Sequence, residues 1–233
     1  MTKHEAEKII QKIVQDVFGV DKKYEFDEFA KKFAYDISLP VEAIDAITGK
    51  QTWAASLAPK KFISMSTVEA RESEQGDWMY PKESIESMDQ LLNLWNRVNY
   101  WATDHVMESD DVAQSDSVYR SQHVFRSIDV RDSDHVVLTN GATESQYIAA
   151  SKTSNTSTYC IRLNESKKCS SSFDVSLSGK VVKSLFVHDA YDLYECLFCS
   201  HITGKKYCIA NMQFEQDEYF RIKKMVIDWL LNR

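Results

Sequence analysis

Residues 115–149 read SDSVYRSQHVFRSIDVRDSDHVVLTNGATESQYIA, and this stretch decides the fold. Every third residue is small or aliphatic: Ser115, Val118, Ser121, Val124, Ser127, Val130, Ser133, Val136, Thr139, Ala142, Ser145 and Ile148. A helix repeats about every 3.6 residues and a simple strand about every 2, so neither gives this pattern. A longer repeat is therefore the next thing to seek. Steps of 12 residues resolve it: Phe125, Val137, Ala149, Ile161, Phe173, Leu185, Leu197 and Ile209 are all apolar. The positions midway, Tyr119, Arg131, Thr143, Asn155, Lys167, Gly179, Tyr191 and Thr203, are mostly polar. A six-residue unit would make the two sets equivalent. The unit is therefore 12 residues, repeated eight times over 115–210.

Such a repeat is a β-solenoid. Each coil rises by one strand spacing, about 4.8 Å, so eight coils make a rod of roughly 38 Å. A coil this short has a narrow interior, which only Ser, Thr, Ala, Val and Cys fit. Buried hydroxyls can bond the carbonyls of the corners. Neighbouring residues on a strand point to opposite sides. With the Val124 column inward, the Phe125 column points outward, beside Tyr147, Tyr159 and Tyr207. The expected interface is thus Phe125, Val137, Tyr147, Ala149, Tyr159, Ile161, Phe173, Leu185, Leu197, Tyr207 and Ile209. A face this long needs a cover, from the chain's own helices, a protein partner or self-association.

The flanks are helical. Thr2-Lys3-His4-Glu5 fits a capping box, and Ile9, Ile10, Ile13, Val14, Val17 and Phe18 follow at helical spacing up to Gly19. A second helix is predicted over Glu25–Tyr35, and Thr48–Gln51 reads as the turn of a small hairpin ending at Trp53. A third helix opens at Ser87, where Gln90 completes another capping box. Its Leu91, Leu92, Leu94, Trp95, Val98 and Trp101 read as the core of an N-terminal domain. Glu215–Leu231 is amphipathic, with Tyr219, Ile222, Val226, Trp229 and Leu230 on one side. The fold class is α+β: an acidic helical N-terminal domain (1–110), a narrow solenoid of about eight coils (111–213) and a C-terminal capping helix (214–233).

Charge is uneven. Residues 1–114 hold 13 basic and 21 acidic side chains, whereas 115–210 hold 11 and 10. That balance argues against nucleic acid as a partner. No apolar run is long enough to cross a membrane, and Met1–Phe18 lacks the apolar stretch of a signal peptide. The expected setting is cytoplasmic or virion-associated. Only 6 Gly and 3 Pro are present, so the corners are expected to be turned by Ser, Asn and Asp.

The S-x-x-C/V-x-x-A pattern is similar to the 12-residue coils of small insect antifreeze solenoids. Those stack Thr-x-Thr, which no column here does, so the resemblance implies coil geometry and not ice binding. The segment Glu195-Cys196-Leu197-Phe198-Cys199-Ser200-His201, followed by Lys205-Lys206-Tyr207-Cys208-Ile209-Ala210-Asn211-Met212-Gln213-Phe214, resembles the last repeats of a Cys/Ser-rich solenoid family. That family occurs in small-genome bacteria and large phages and has no established activity. The resemblance implies a solenoid and no catalytic residue. This chain has Ser and Val at many of the family's Cys positions, which implies that the cysteines fill the core.

Candidate chemistry is sparse. No Ser-His-Asp, His-Glu-x-x-His or phosphate-loop pattern is present. The glycine-poor 12-residue period argues against a hexapeptide-repeat acyltransferase. The scattered acids argue against a DNA mimic. Cys196, Cys199, His201 and Cys208 have the ligand types of a zinc site, the one cofactor considered, yet each cysteine stands where Val or Ser stands elsewhere. His123 and His135 stack in one outward column, able to bind a metal, sense pH or simply line the surface. The expected function is a non-enzymatic structural or interaction module in a larger bacterial or phage assembly. The alternative is a metal-binding accessory protein or enzyme using Cys196, Cys199 and Cys208.

Overall fold

The computed structural model describes residues 1–58, 61–75 and 78–232. Residues 105–213 form a parallel β-solenoid of about 9 coils. Each strand pairs with the one 12 residues on, as in Val124 to Val136 and Val136 to Ile148. From Glu108 to Ala210 every third residue is left-handed, with φ between 45° and 89°. A 12-residue coil therefore has four corners. Past the strand Thr158–Lys167, the paired sides move round the coil by one corner, to Gly179–Val182 and Leu185–His188.

This corrects the expected corner chemistry in part: serines do bond the corner carbonyls, but the left-handed residues need not be Ser, Asn or Asp. The left-handed positions carry Leu138, Tyr147, Lys183 and Phe186 as readily as Asp129 or Asp132. A left-handed residue costs about 1–2 kcal/mol without glycine. At many corners, though not after Tyr147 or Phe186, an interior hydroxyl one position further on offsets that cost. Ser127 Oγ donates to Phe125 O at 3.0 Å and accepts from Thr139 N at 3.1 Å. Ser145 does the same with Thr143 O at 2.8 Å and Ser157 N at 3.2 Å. Each hydroxyl thus satisfies one corner carbonyl and one amide of the next coil, groups that water cannot reach. Within the paired strands the interior is apolar at Val118, Val124, Val130 and Val136 and turns to serine at Ser154, Ser166 and Ser172.

The glycines test this directly. Gly204 is left-handed at φ 65° with open space where a Cβ would sit, so Gly204→Ala should cost only the left-handed penalty, about 1–2 kcal/mol. At Gly141, φ is 89° and a Cβ would sit 3.1 Å from the backbone N of Thr153. Gly141→Ala should cost more, about 2–5 kcal/mol, since backbone of the next coil must move as well. Urea midpoints of the two variants compare these outcomes.

The apolar column is covered within the chain. Helix α1 (Lys3–Phe18) opens with the expected capping box and stops at left-handed Gly19. Its start bonds Asp111, Lys12 reaches Tyr147 Oη at 2.6 Å and Asp16 reaches Ser171 Oγ at 2.5 Å. Sixteen residues of helix span about 24 Å, the rise of the five coils between Asp111 and Ser171. The helix therefore lies along the rod. Helix α2 (Phe26–Phe33) packs beside it, with Phe26 against Phe125 at 5.2 Å and Phe33 against Phe173 at 5.7 Å. At the far end, a hairpin of Cys208–Ile209 and Met212–Gln213 leads into the C-terminal helix (Gln216–Asn232). That helix folds back from Tyr207 along the side of the rod, burying Tyr219, Val226, Ile227 and Leu231 in the same core.

A small module precedes the first coil. Val41–Ile44 and Gln51–Ala54 form the expected hairpin, and Phe62–Ser64 pairs with Trp101–Thr103. Helix α3 (Met65–Gln75) and helix α4 (Met88–Val98) lie between those last two strands. Asp45 is buried at the module's centre and accepts from the amides of Ile47, Thr48 and Ser64 and from Thr67 Oγ1. These donors hold its carboxyl well below the usual range, against the opposing effect of burial. Buried Asp116 ties the module to the rod, accepting from the amides of His105 and Ala55.

Candidate functional site

The structure sorts the expected site residues into three groups. The first is the Phe125 column. Phe125, Val137, Ala149, Ile161, Phe173, Leu185, Leu197 and Ile209 are buried beneath α1, α2 and the C-terminal helix. Tyr147, Tyr159 and Tyr207 are half-buried at its margin, with Lys12 over the Tyr147 ring at 4.1 Å. These residues are an interface between the chain's own elements and leave no apolar face open there.

The second is the cysteine group. Cys196, Cys199 and Cys208 are buried in the solenoid interior, whereas His201 lies outside, its side chain 73% exposed and 3.6 Å from Asp189. The structure does not bring the four together. The thiols take up the bonds that serines make elsewhere: Cys199 Sγ donates to Leu197 O at 3.2 Å, and Cys196 Sγ points to Tyr194 O at 3.6 Å. Burial pushes the Cys169 thiol up to about 11 and the Cys160 thiol higher still. Pairing with Cys199, together with burial, pushes Cys196 up as well. At Cys160, Cys169 and Cys196 these are features of protonated core groups, whereas the contact with Cys196 lowers the Cys199 thiol against the effect of burial.

The third is the histidine column. His123, His135, Tyr147 and Tyr159 form one continuous ring stack, at centroid spacings of 4.4, 4.2 and 4.5 Å. The spacing follows from the coil rise, which sets equivalent residues about 4.8 Å apart.

One surface was misread from sequence. Helix α4 does begin at Ser87, whose hydroxyl accepts from Gln90 N at 3.2 Å. Gln90 Oε1 accepts from Glu86 N, so the capping box is half-formed. The helix is not a core element: none of its residues is buried. Leu91, Leu92, Trp95 and Val98 are 41–55% exposed, and Trp101 beyond it is 55% exposed. The core it was expected to build is made by α1 and α2 on the solenoid instead. Nothing in the helical periodicity distinguishes a face that meets its own chain from one that does not.

Residues 80–85 run beside this face. Tyr80, Ile85, Leu91, Leu94, Trp95 and Val98 line a groove of about 370 Å³. Lys82, Glu83 and Arg97 also line it, with Arg97 bound to Glu83 at 2.7 Å. Exposed apolar side chains in one contiguous patch mark an interaction surface on a folded domain.

No family model, no curated protein and no solved structure matches this chain. No described helix is long and apolar enough to cross a membrane.

Proposed function

We propose that the chain is a non-enzymatic interaction module. The solenoid and its covering helices make a stiff spine, and α4 presents the docking face. The observation that carries this reading is an amphipathic helix whose apolar side, centred on Leu92 and Trp95, is open to solvent. The solenoid's own apolar column is already occupied, which directs a partner to α4.

The partner is another protein offering an apolar helix or strap flanked by basic residues. Residues 1–114 carry 21 acidic against 13 basic side chains, so two copies meeting through this region repel each other. Anchoring by aromatic and leucine side chains in a groove is the usual helix-recognition mode. Membership of a larger bacterial or phage particle fits a stiff module of this kind.

The test compares wild-type protein with Trp95→Asp as bait in extract from the native source, at low and high salt. Because Trp95 is exposed, the variant should keep its fold, with stability within about 0.5 kcal/mol of wild type. A defined basic partner, retained by wild type, lost with Trp95→Asp and weakened by salt, is the expected result. Equal recovery by both baits overturns the reading. So does a wild-type homodimer in sedimentation that Trp95→Asp dissociates, because the occupant is then a second copy.

A further inference from the structure

A second site lies on the solenoid itself, independent of α4. His123 and His135 occupy successive left-handed corners of one column, with rings 4.4 Å apart and 24° between their planes. Asp134, one residue before the second histidine, sits between them. Its Oδ1 lies 2.7 Å from His123 Nδ1 and 2.8 Å from His135 Nδ1. The second approach is out of hydrogen-bond alignment, so buried His135 Nδ1 has no hydrogen-bond partner among the described residues. The three ligand atoms lie within 4.8 Å of one another, and no other such trio of His, Cys, Asp or Glu occurs among the described residues.

The other ring nitrogen has fixed neighbours. On its other side His135 stacks on Tyr147, whose Oη is 3.4 Å from Nε2. Lys12 donates to the same Oη at 2.6 Å, which leaves an oxygen lone pair for an Nε2–H donor. With the ring proton on Nε2, Nδ1 turns a lone pair toward the carboxylate, and this is the tautomer that takes a cation. A ligating histidine whose other nitrogen donates to a fixed partner is the arrangement metal sites favour.

We propose that His123, Asp134 and His135 bind one divalent cation of the zinc class. The ligands are the two Nδ1 atoms and one carboxylate oxygen. Two imidazoles with a carboxylate suit zinc, nickel or copper over magnesium or calcium. The side chains are 41%, 35% and 21% exposed, so an ion enters from the His123 and Asp134 side, where water completes the coordination, and meets His135 Nδ1 from there. Small rotations of His123 and Asp134 at the surface open the ligand atoms to bonding distance. The Lys12 ammonium is a competing positive charge, and it is held at the Tyr147 hydroxyl.

The test is calorimetric titration of zinc chloride into chelator-stripped full-length protein. Alongside it run His123→Ala, isosteric Asp134→Asn and the double variant Cys196→Ser/Cys199→Ser. One site per chain is expected, weakened at least about tenfold by His123→Ala and by Asp134→Asn. The cysteine variant should bind as wild type does. Cobalt bound in place of zinc should show no thiolate charge-transfer band. Circular dichroism confirms that each variant is folded. Absence of binding by wild type overturns the proposal. Binding that survives Asp134→Asn, or that disappears with the cysteines, overturns it too.

Discussion

Ile161→Asp should abolish the folded state. Ile161 is fully buried at the middle of the apolar column, between Ala149 and Phe173, under α1 and α2. The change removes an apolar side chain worth about 2–3 kcal/mol of burial. It also places a carboxyl where no donor is available, at a further cost of several kcal/mol even when protonated. The sum rivals the whole stability of a typical domain, about 5–15 kcal/mol. Loss of the cooperative urea transition and of helical circular dichroism is the expected outcome. Ile161→Val, which keeps the chemistry, should cost only about 0.5–1.5 kcal/mol. Cys196→Ser should be milder than the Asp change by several kcal/mol, because Ser172 and Ser184 already fill the same column below it. If Ile161→Asp unfolds near the wild-type midpoint, the helices do not cover the column.

Glu195→Ala should be the next most damaging change described here. Glu195 stands at a left-handed corner, yet its side chain is only 6% exposed because the C-terminal helix lies over it. Its Oε2 accepts from Lys223 Nζ at 2.5 Å and from Tyr219 Oη at 3.3 Å. Lys223 also donates to Lys183 O at 2.9 Å, so one ammonium ties two coils to the helix. Removing the carboxylate strands that ammonium, itself 12% exposed, in a place water barely reaches. Breaking a buried pair from one side typically costs about 3–5 kcal/mol. The loss should fall on the C-terminal helix first, as faster hydrogen exchange over 216–232 than over the solenoid. Burial, and then the Glu195 charge, hold the Tyr219 phenol well above its usual range. Restoring the pair in reverse is not expected to rescue, since the corner backbone positions Glu195 and not Lys223.

The architecture was legible because a β-solenoid is a local repeat. Each coil contacts its neighbours 12 residues away, so the period in the sequence is the period in space. The capping box at Thr2, the stop at Gly19 and the hairpin before Trp53 were legible for the same reason: each is decided by a few adjacent residues. The corners were not. Gly and Asn report a left-handed backbone only where side-chain chemistry must supply it. Here coil closure imposes it on any residue, including Leu138, which an interior threonine follows, and Phe186, which Val187 follows.

The candidate sites divide in the same way. Sequence placed His123 and His135 one coil apart, because that is a matter of period. It did not single out Asp134, whose carboxylate joins them only through the tight corner. It placed Leu92 and Trp95 on one helix face, and it placed the Phe125 column on one side of the rod. Both stripes read alike as surfaces in need of cover. Which of them the chain covers depends on where α1, α2 and the C-terminal helix come to rest, contacts that cross up to about two hundred residues of sequence, such as Lys22 to the Leu231 carbonyl. Periodicity along a chain determines what can be buried. Only the packing of distant segments decides what is.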